Sequence, residues 1–385
     1  QRKIVSPTLN NKNVKDYFGA IKLSASRLVT KWGNEQNEVC ALSDLSNYSL
    51  DVVALAILGM DFDSLNRPDS EIAKAAQDVF RIIFMRTLSP VPYWRMPFIG
   101  PNLDGGQKAS DLVLQAIRGS IRDYRERMAG NQDNGHHKQE KTVFLEKMVD
   151  LCDGGEAKLD DEHVMGNLAS LIVAGTDTTS STIAFCFWEL AQDSELQEEL
   201  YKEIDETGIT LDDLTMNDVK ERFPRVHSFM FEVLRVKGPA PMLFLEPAET
   251  IEFQGGRIEP GSLVVVLNRS LKGKGSSEVP TSPDGKGCQQ FCPRRWLVPL
   301  DDTKHNGPVT ATQPSNIFGG YMPFGYGVRI CPGKQLAEVE VFTTLIFVLR
   351  NFEVSPMPNH PPITPVMRFT ETFDGEMKLV LTRRQ

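Results

Sequence analysis

The chain has little that would make it a zinc protein, a secreted disulfide scaffold, a nucleic-acid binder or a membrane span. Its six cysteines, Cys40, Cys152, Cys186, Cys288, Cys292 and Cys331, are scattered and contain no C-x-x-C pair. Neither a zinc site nor a disulfide framework is suggested, and a reducing compartment fits best. Basic residues are outnumbered, 42 Lys and Arg against 51 Asp and Glu, and the formal net charge of -9 argues against a nucleic-acid partner. The longest apolar runs, such as Val52 to Met60 and Leu345 to Leu349, fall short of the roughly 18 to 20 residues that span a bilayer. No part of the chain is therefore expected to cross a membrane. Methionine is absent before Met60, so Gln1 is not expected to be a natural start. A signal or anchor would belong to a segment preceding it. No repeat is visible at periods of roughly 20 to 50 residues, which removes solenoids and propellers.

What is present is ordinary globular composition, 41% apolar and 24% charged, in a chain of 385 residues that can bury a core and enclose a large ligand. From Val14 to about Lys237 apolar residues recur at three and four, punctuated by Arg67-Pro68, by Pro97 to Pro101 and by Gly154-Gly155, which predicts successive helices. The polar run Asn131 to Glu140, including His136 and His137, reads as a solvated loop rather than a metal site. Asp160 to Asp193 is apolar nearly all round, through Val164, Leu168, Leu171, Ile172, Ile183, Phe187 and Leu190. A continuous helix of that length, about 50 Å, must pass through the interior. Its polar insertion, Thr176-Asp177-Thr178-Thr179, is expected to be buried.

After Lys237 the pattern shortens. Thr250 to Phe253, Arg257-Ile258 and Ser262 to Leu267 alternate with Gly255-Gly256 and Pro260-Gly261 turns and predict a small antiparallel sheet. Ser270 to Tyr321 is rich in Gly, Pro, Ser and Asp, a long irregular stretch that makes sense only if it wraps something or serves function. Lys334 to Asn351 repeats Leu336, Val339, Phe342, Leu345, Ile346 and Leu349 on one helical face, and the tail predicts a hairpin around Asp374-Gly375.

Phe324-Gly325-Tyr326-Gly327-Val328-Arg329-Ile330-Cys331-Pro332-Gly333 sets a cysteine immediately before that amphipathic helix. Three glycines let backbone approach a flat partner, and the positive end of a helix favours the thiolate. Arg329 stands ready to neutralise an anionic group of the same ligand. The plainer reading is a buried free cysteine on a glycine-rich turn. The run matches F-x-x-G-x-R-x-C-x-G, the haem-binding signature of the cytochrome P-450 superfamily, at every specified position, and the chain is identified by resemblance as a member.

Other motifs follow in the family's order. Glu232-Val233-Leu234-Arg235 pairs an acid and a base at i and i+3 among Phe229, Met230 and Phe231, where burial demands a further partner. Phe291-Cys292-Pro293-Arg294-Arg295-Trp296 resembles the family's F-x-P-x-R-W segment, whose arginine completes a triad, here Glu232, Arg235 and Arg295. Arg294 stands where the family often has glutamate, a departure that touches the surface. Ala174-Gly175-Thr176-Asp177-Thr178-Thr179 resembles the oxygen-activation motif [AG]-G-x-[DE]-T-[TS]; the competing reading is a hydroxyl-rich helix bonding its own carbonyls. Ser49 to Leu65 is similar to a helix of eukaryotic members, and Arg2 matches the arginine of the family's W-x-x-x-R helix.

The resemblance implies a mainly α fold with small β-sheets (α+β), lacking the family's N-terminal region. It implies one domain over residues 1–385: a helical body to about 237, small sheets and meander over 238–322, the haem-binding loop and last helix over 323–352, and a C-terminal hairpin over 363–382. Cys331 is then the metal ligand. Phe324, Gly325, Arg329, Gly333, Ala174, Gly175 and Arg2 are cofactor contacts, and Asp177 and Thr178 are catalytic. The implied cofactors are haem b (iron protoporphyrin IX) and, indirectly, NADPH through NADPH-cytochrome P-450 reductase or a similar donor docking near Arg329 and Lys334. The implied activity is monooxygenation of a small hydrophobic substrate with dioxygen, the pocket taking Ala174, Thr178 and Pro241 to Leu245. No nucleic-acid partner is implied. Membrane association through the missing segment places the parent at the cytoplasmic face of the endoplasmic reticulum. A truncated or non-catalytic haem-binding protein is the alternative. Two departures stand out: a glycine-rich Ser270 to Gln290, and Leu243, Phe244 and Leu245 where a basic residue for a haem carboxylate is often found.

Overall fold

The computed structural model describes the chain except residues 1, 36–37, 97–99, 133–142, 156–158, 268–284, 286–289, 301–308, 312–320, 369 and 385. The helices are α1 (Arg2–Thr8), α2 (Asn11–Asn34), α3 (Ala41–Val53), α4 (Glu71–Leu88), α5 (Gly106–Gln132), α6 (Phe144–Asp153), α7 (Asp161–Gln192), α8 (Ser194–Glu206), α9 (Met216–Glu221), α10 (Pro224–Lys237) and α11 (Lys334–Asn351). The fold is mainly α with small sheets.

Helix starts follow local chemistry. Asn10, Ser70, Asp160 and Asp193 each accept from backbone N–H groups of the turn they open, and Thr215 with Asp218 forms a reciprocal capping box. Pro224 opens α10, where its missing N–H costs nothing. The long apolar segment is one continuous helix of 32 residues, α7, and α3, α10 and α11 pack against it. α3 runs on into a wide π turn, Ala54–Leu58, which Gly59 ends in the left-handed region at φ 69°. Ala41–Leu58 is thus 18 residues long and apolar enough to cross a membrane, contrary to the expectation from run lengths. With 78% of it buried inside the fold, it serves as a core helix.

Strands are β1 (Glu38–Cys40), β2 (Met242–Leu245), β3 (Ile251–Phe253), β4 (Gly256–Ile258), β5 (Val264–Leu267), β6 (Leu297–Pro299), β7 (Val309–Ala311), β8 (Phe352–Pro356), β9 (Pro365–Met367), β10 (Glu371–Phe373) and β11 (Lys378–Arg383). Several depart from expectation. β5 pairs not with β4 but with β2, a strand the sequence pattern does not predict, so two separate ribbons replace one small sheet. The irregular meander contains a further antiparallel pair, β6–β7, though most of it lies outside the described residues. The C-terminal hairpin expected over 363–382 does not form around Asp374-Gly375. β10 pairs back onto β9, while β11 pairs with β8 and β1, because Gly375 at φ 87° turns the chain out of one sheet into the other. Of the run from Asn131 to Glu140 expected as a loop, Asn131 and Gln132 end α5, and the rest, with His136 and His137, lies outside the described residues.

Candidate active site

Two left-handed glycines, Gly325 at φ 76° and Gly327 at φ 61°, fold the cysteine loop back on itself. The Cys331 amide donates to the Phe324 carbonyl at 2.8 Å and the Gly325 amide to the Met322 carbonyl at 2.9 Å. Gly333 then caps α11, and a Cβ there would lie 3.8 Å from the Cys331 Sγ. The result is an exposed thiol at the start of a helix, with α7 across from it.

Between them lies a cavity of about 610 Å³. Cys331, Phe324, Gly325, Arg329 and Gly333 line one side, and Leu171, Ala174, Gly175, Thr178, Thr179 and Thr182 of α7 another. Pro239, Ala240, Leu243, Phe244 and Leu245 close a third, with Val53 and Ile57 from α3 and its π turn. Of the segment expected from Pro241 to Leu245, Pro241 and Met242 are not among the described lining residues. Among the described lining residues Arg329 is the one cation and Glu340 the one carboxyl. A thiol, one cation for an anionic edge, glycines beneath and apolar walls make a donor set that fits an iron porphyrin.

The triad residues meet. Glu232 accepts from Arg235 at 2.7 and 2.8 Å, from Arg295 Nε at 3.1 Å, from Trp296 Nε1 at 2.9 Å and from the Cys292 amide at 2.8 Å. Both guanidinium groups also donate to the Gln290 carbonyl, and the Tyr321 hydroxyl donates to the Phe231 carbonyl. All three charged side chains are buried, so α10 holds the segment from Gln290 to Trp296 through a polar network. Arg294 pairs at the surface with Glu199 at 3.0 Å.

The oxygen-activation motif is divided by its own helix. Successive residues point about 100° apart, so Thr178 lines the cysteine cavity while Asp177 lines a second, more polar cavity of about 530 Å³ with Ser180, Ser181 and Arg368. Asp177 accepts from the Thr370 hydroxyl, and burial raises its pKa against the opposing pull of Thr370 and Arg368. The Thr178 hydroxyl donates to the Ala174 carbonyl at 2.7 Å, the self-bonding arrangement weighed as the alternative reading. Of the insertion only Thr179 is buried; its three neighbours are half-buried because cavities flank α7. The Arg2 side chain lies outside the described residues.

Sequence reasoning missed Glu340. It is 1% exposed, and burial lifts its carboxyl to about 8 although the Ser49 hydroxyl lies 2.8 Å away. The available signal was a charged residue inside the apolar run from Leu336 to Leu349.

The model of the Cytochrome P-450 family matches residues 1–372. The chain belongs to the cytochrome P-450 family. Among its curated relatives are the cytochrome P-450 monooxygenase buaD of Petromyces alliaceus, 24% identical over 94% of this chain and 66% of that protein, and the protein LUTEIN DEFICIENT 5, chloroplastic, of Arabidopsis thaliana, 23% identical over 100% and 62%. The chain thus spans less than two thirds of either relative's length. The crystal structure of the cytochrome P-450DA haem domain shares the fold at a TM-score of 0.76 and 20% identity, covering 100% of this chain and 77% of that one.

Proposed function

We propose that this cytochrome P-450 chain is the greater part of a haem-thiolate monooxygenase acting on a small hydrophobic substrate. The observation that carries the reading is that Cys331 and the middle of α7 line one cavity, with Arg329 at its edge. Cys331 would hold haem b through its thiolate, Arg329 would neutralise a carboxylate, and Phe324, Gly325, Gly333, Ala174 and Gly175 would border the ring. When bound, the haem supplies the redox chemistry that splits dioxygen and oxidises the substrate.

The chain's own contribution is positioning and protons. Leu171, Leu243 and Val266 line the cavity with apolar surface and favour an apolar substrate. Thr178 Oγ1, by releasing the Ala174 carbonyl, can pass a proton inward, and Asp177 faces the polar cavity from which such a proton is replenished. Electrons come from NADPH through NADPH-cytochrome P-450 reductase or a similar donor, docking where Arg329 and Lys334 offer positive charge. We place the parent protein at the cytoplasmic face of the endoplasmic reticulum; cell fractionation against a plastid location tests this.

A second reading, a haem binder without turnover, is favoured by one observation: the cavity rim is open, with Phe244 62% and Tyr326 76% exposed. Spectra and turnover separate the two. The carbon monoxide complex of the reduced, haem-loaded chain is expected to show thiolate ligation that Cys331→Ser loses. NADPH-dependent product with a reductase is expected for the enzyme; haem binding with no product under any donor selects the second reading.

A further inference from the structure

One serine hydroxyl joins three core helices. Ser49 Oγ of α3 lies 2.8 Å from Glu340 Oε1 of α11 and 3.4 Å from the Gly175 carbonyl oxygen of α7. Ser49 and Glu340 are both buried, at 0% and 1% exposure. A hydroxyl has one proton to donate. It serves the Gly175 carbonyl only when the carboxyl is itself the donor to Ser49 Oγ, and an ionised carboxylate claims that proton for itself. We propose that Glu340 is a positioning residue whose carboxylic proton, relayed through Ser49, holds the Gly175 carbonyl and hence the turn of α7 that presents Thr178 to the cavity.

Geometry restricts what else can satisfy Glu340. From α3 a second hydroxyl in the cluster is that of Tyr48, which lies 2.8 Å from Thr344 Oγ1 of α11; Thr344 Oγ1 in turn donates to the Glu340 backbone carbonyl at 2.7 Å. α7 offers a backbone carbonyl. Among the described residues, the charged or ionisable groups that share the cavity lining with Glu340 are Arg329, Cys331 and Tyr326, and none of them contributes to its titration. Burial without a cation favours the neutral acid, consistent with a carboxyl lifted to about 8. The Gly175 carbonyl sits one residue beyond the Ala174 carbonyl that takes the Thr178 hydroxyl. Loss of the Ser49 bond therefore loosens the same turn from which Thr178 must swing. The relay stands without the monooxygenase reading; its consequence for Thr178 rests on it.

The test uses the full 385-residue chain with wild type, Ser49→Ala and Glu340→Gln, and no turnover. Infrared spectra read the carboxylic C=O stretch, and amide hydrogen exchange reads residues 175–179. Wild type is expected to lose a protonated-carboxyl band, absent from Glu340→Gln, as pH rises through about 8. Protection of the α7 segment should fall roughly fivefold in step, what one hydrogen bond contributes. Ser49→Ala should keep the titrating band and lose the pH response of α7. Glu340→Gln, whose amide still donates to Ser49, should stay protected throughout. If Glu340→Gln does not fold, the Ser49→Ala comparison alone decides. An ionised Glu340 at pH 6, or an α7 response unchanged in Ser49→Ala, overturns the relay. Failure of turnover alone would count against the proposed function and leave the relay standing.

Discussion

Glu232 carries a charge with 0% exposure, and its five hydrogen bonds come from two arginines, an indole and a backbone amide. Removing one partner of such a cluster leaves another charge buried, a loss of about 3 to 5 kcal/mol. Glu232→Ala or Arg235→Ala is therefore expected to abolish haem retention, measured as Soret absorbance against protein; a variant with normal haem content and stability would refute the brace. At Thr178 the expected effect is on coupling. Thr178→Ala should raise hydrogen peroxide released per NADPH consumed, against a proton-delivery contribution of roughly 100- to 10,000-fold. The pairing of Glu232 with Arg235 was legible because i and i+3 share a helix face. The facing of Asp177 was not, because motif adjacency says nothing of which side of a buried helix each residue takes. Glu340 escaped because an apolar stripe invites every position on it to be read as packing.

At the scale of elements, α7 and α3 approach closely at Gly175. A Cβ on Gly175 would come within 2.8 Å of Val53 Cγ2. Overpacking of that kind costs about 1 to 3 kcal/mol, while alanine returns about 1 kcal/mol of helix propensity. Gly175→Ala should thus be less stable than wild type, yet stabilising in a Val53→Ala background, a sign reversal that urea denaturation of the double mutant would show. The contact between α10 and α11 has its own pH signature. His227 stacks on Phe342 at 4.1 Å, its Nε2 lies 2.7 Å from the Val219 carbonyl, and burial depresses its pKa to about 4. The unfolded chain binds that proton more readily, so the stability is present above about 6.5 and lost as pH falls through 4. His227→Gln should flatten this slope between pH 6.5 and 4 in denaturation midpoints. α7 could be read from the sequence almost to its ends, because Asp160 and Asp193 bound its apolar run. β2 could not, since Met-Leu-Phe-Leu has no alternation to mark a strand, and its partner β5 was assigned to a nearer neighbour.

At the scale of the molecule, the cavity joins segments far apart in the chain, from Leu9 through α7 to Val341. A ligand filling it ties the helical body to the cysteine loop and binds only the folded state. Linkage then requires stabilisation: free haem at 100 times its dissociation constant should add about 2.7 kcal/mol. The thermal midpoint of the chain should rise with haem concentration, and rise far less in Cys331→Ala, which has no thiolate to offer the iron but keeps the apolar walls. Equal shifts in both proteins would mean that haem partitions into the cavity as a hydrophobe, leaving Cys331 a bystander. The open rim at Phe244 and Tyr326 makes the comparison sharp, because walls that do not close around the ring leave the thiolate to supply most of the selectivity for iron.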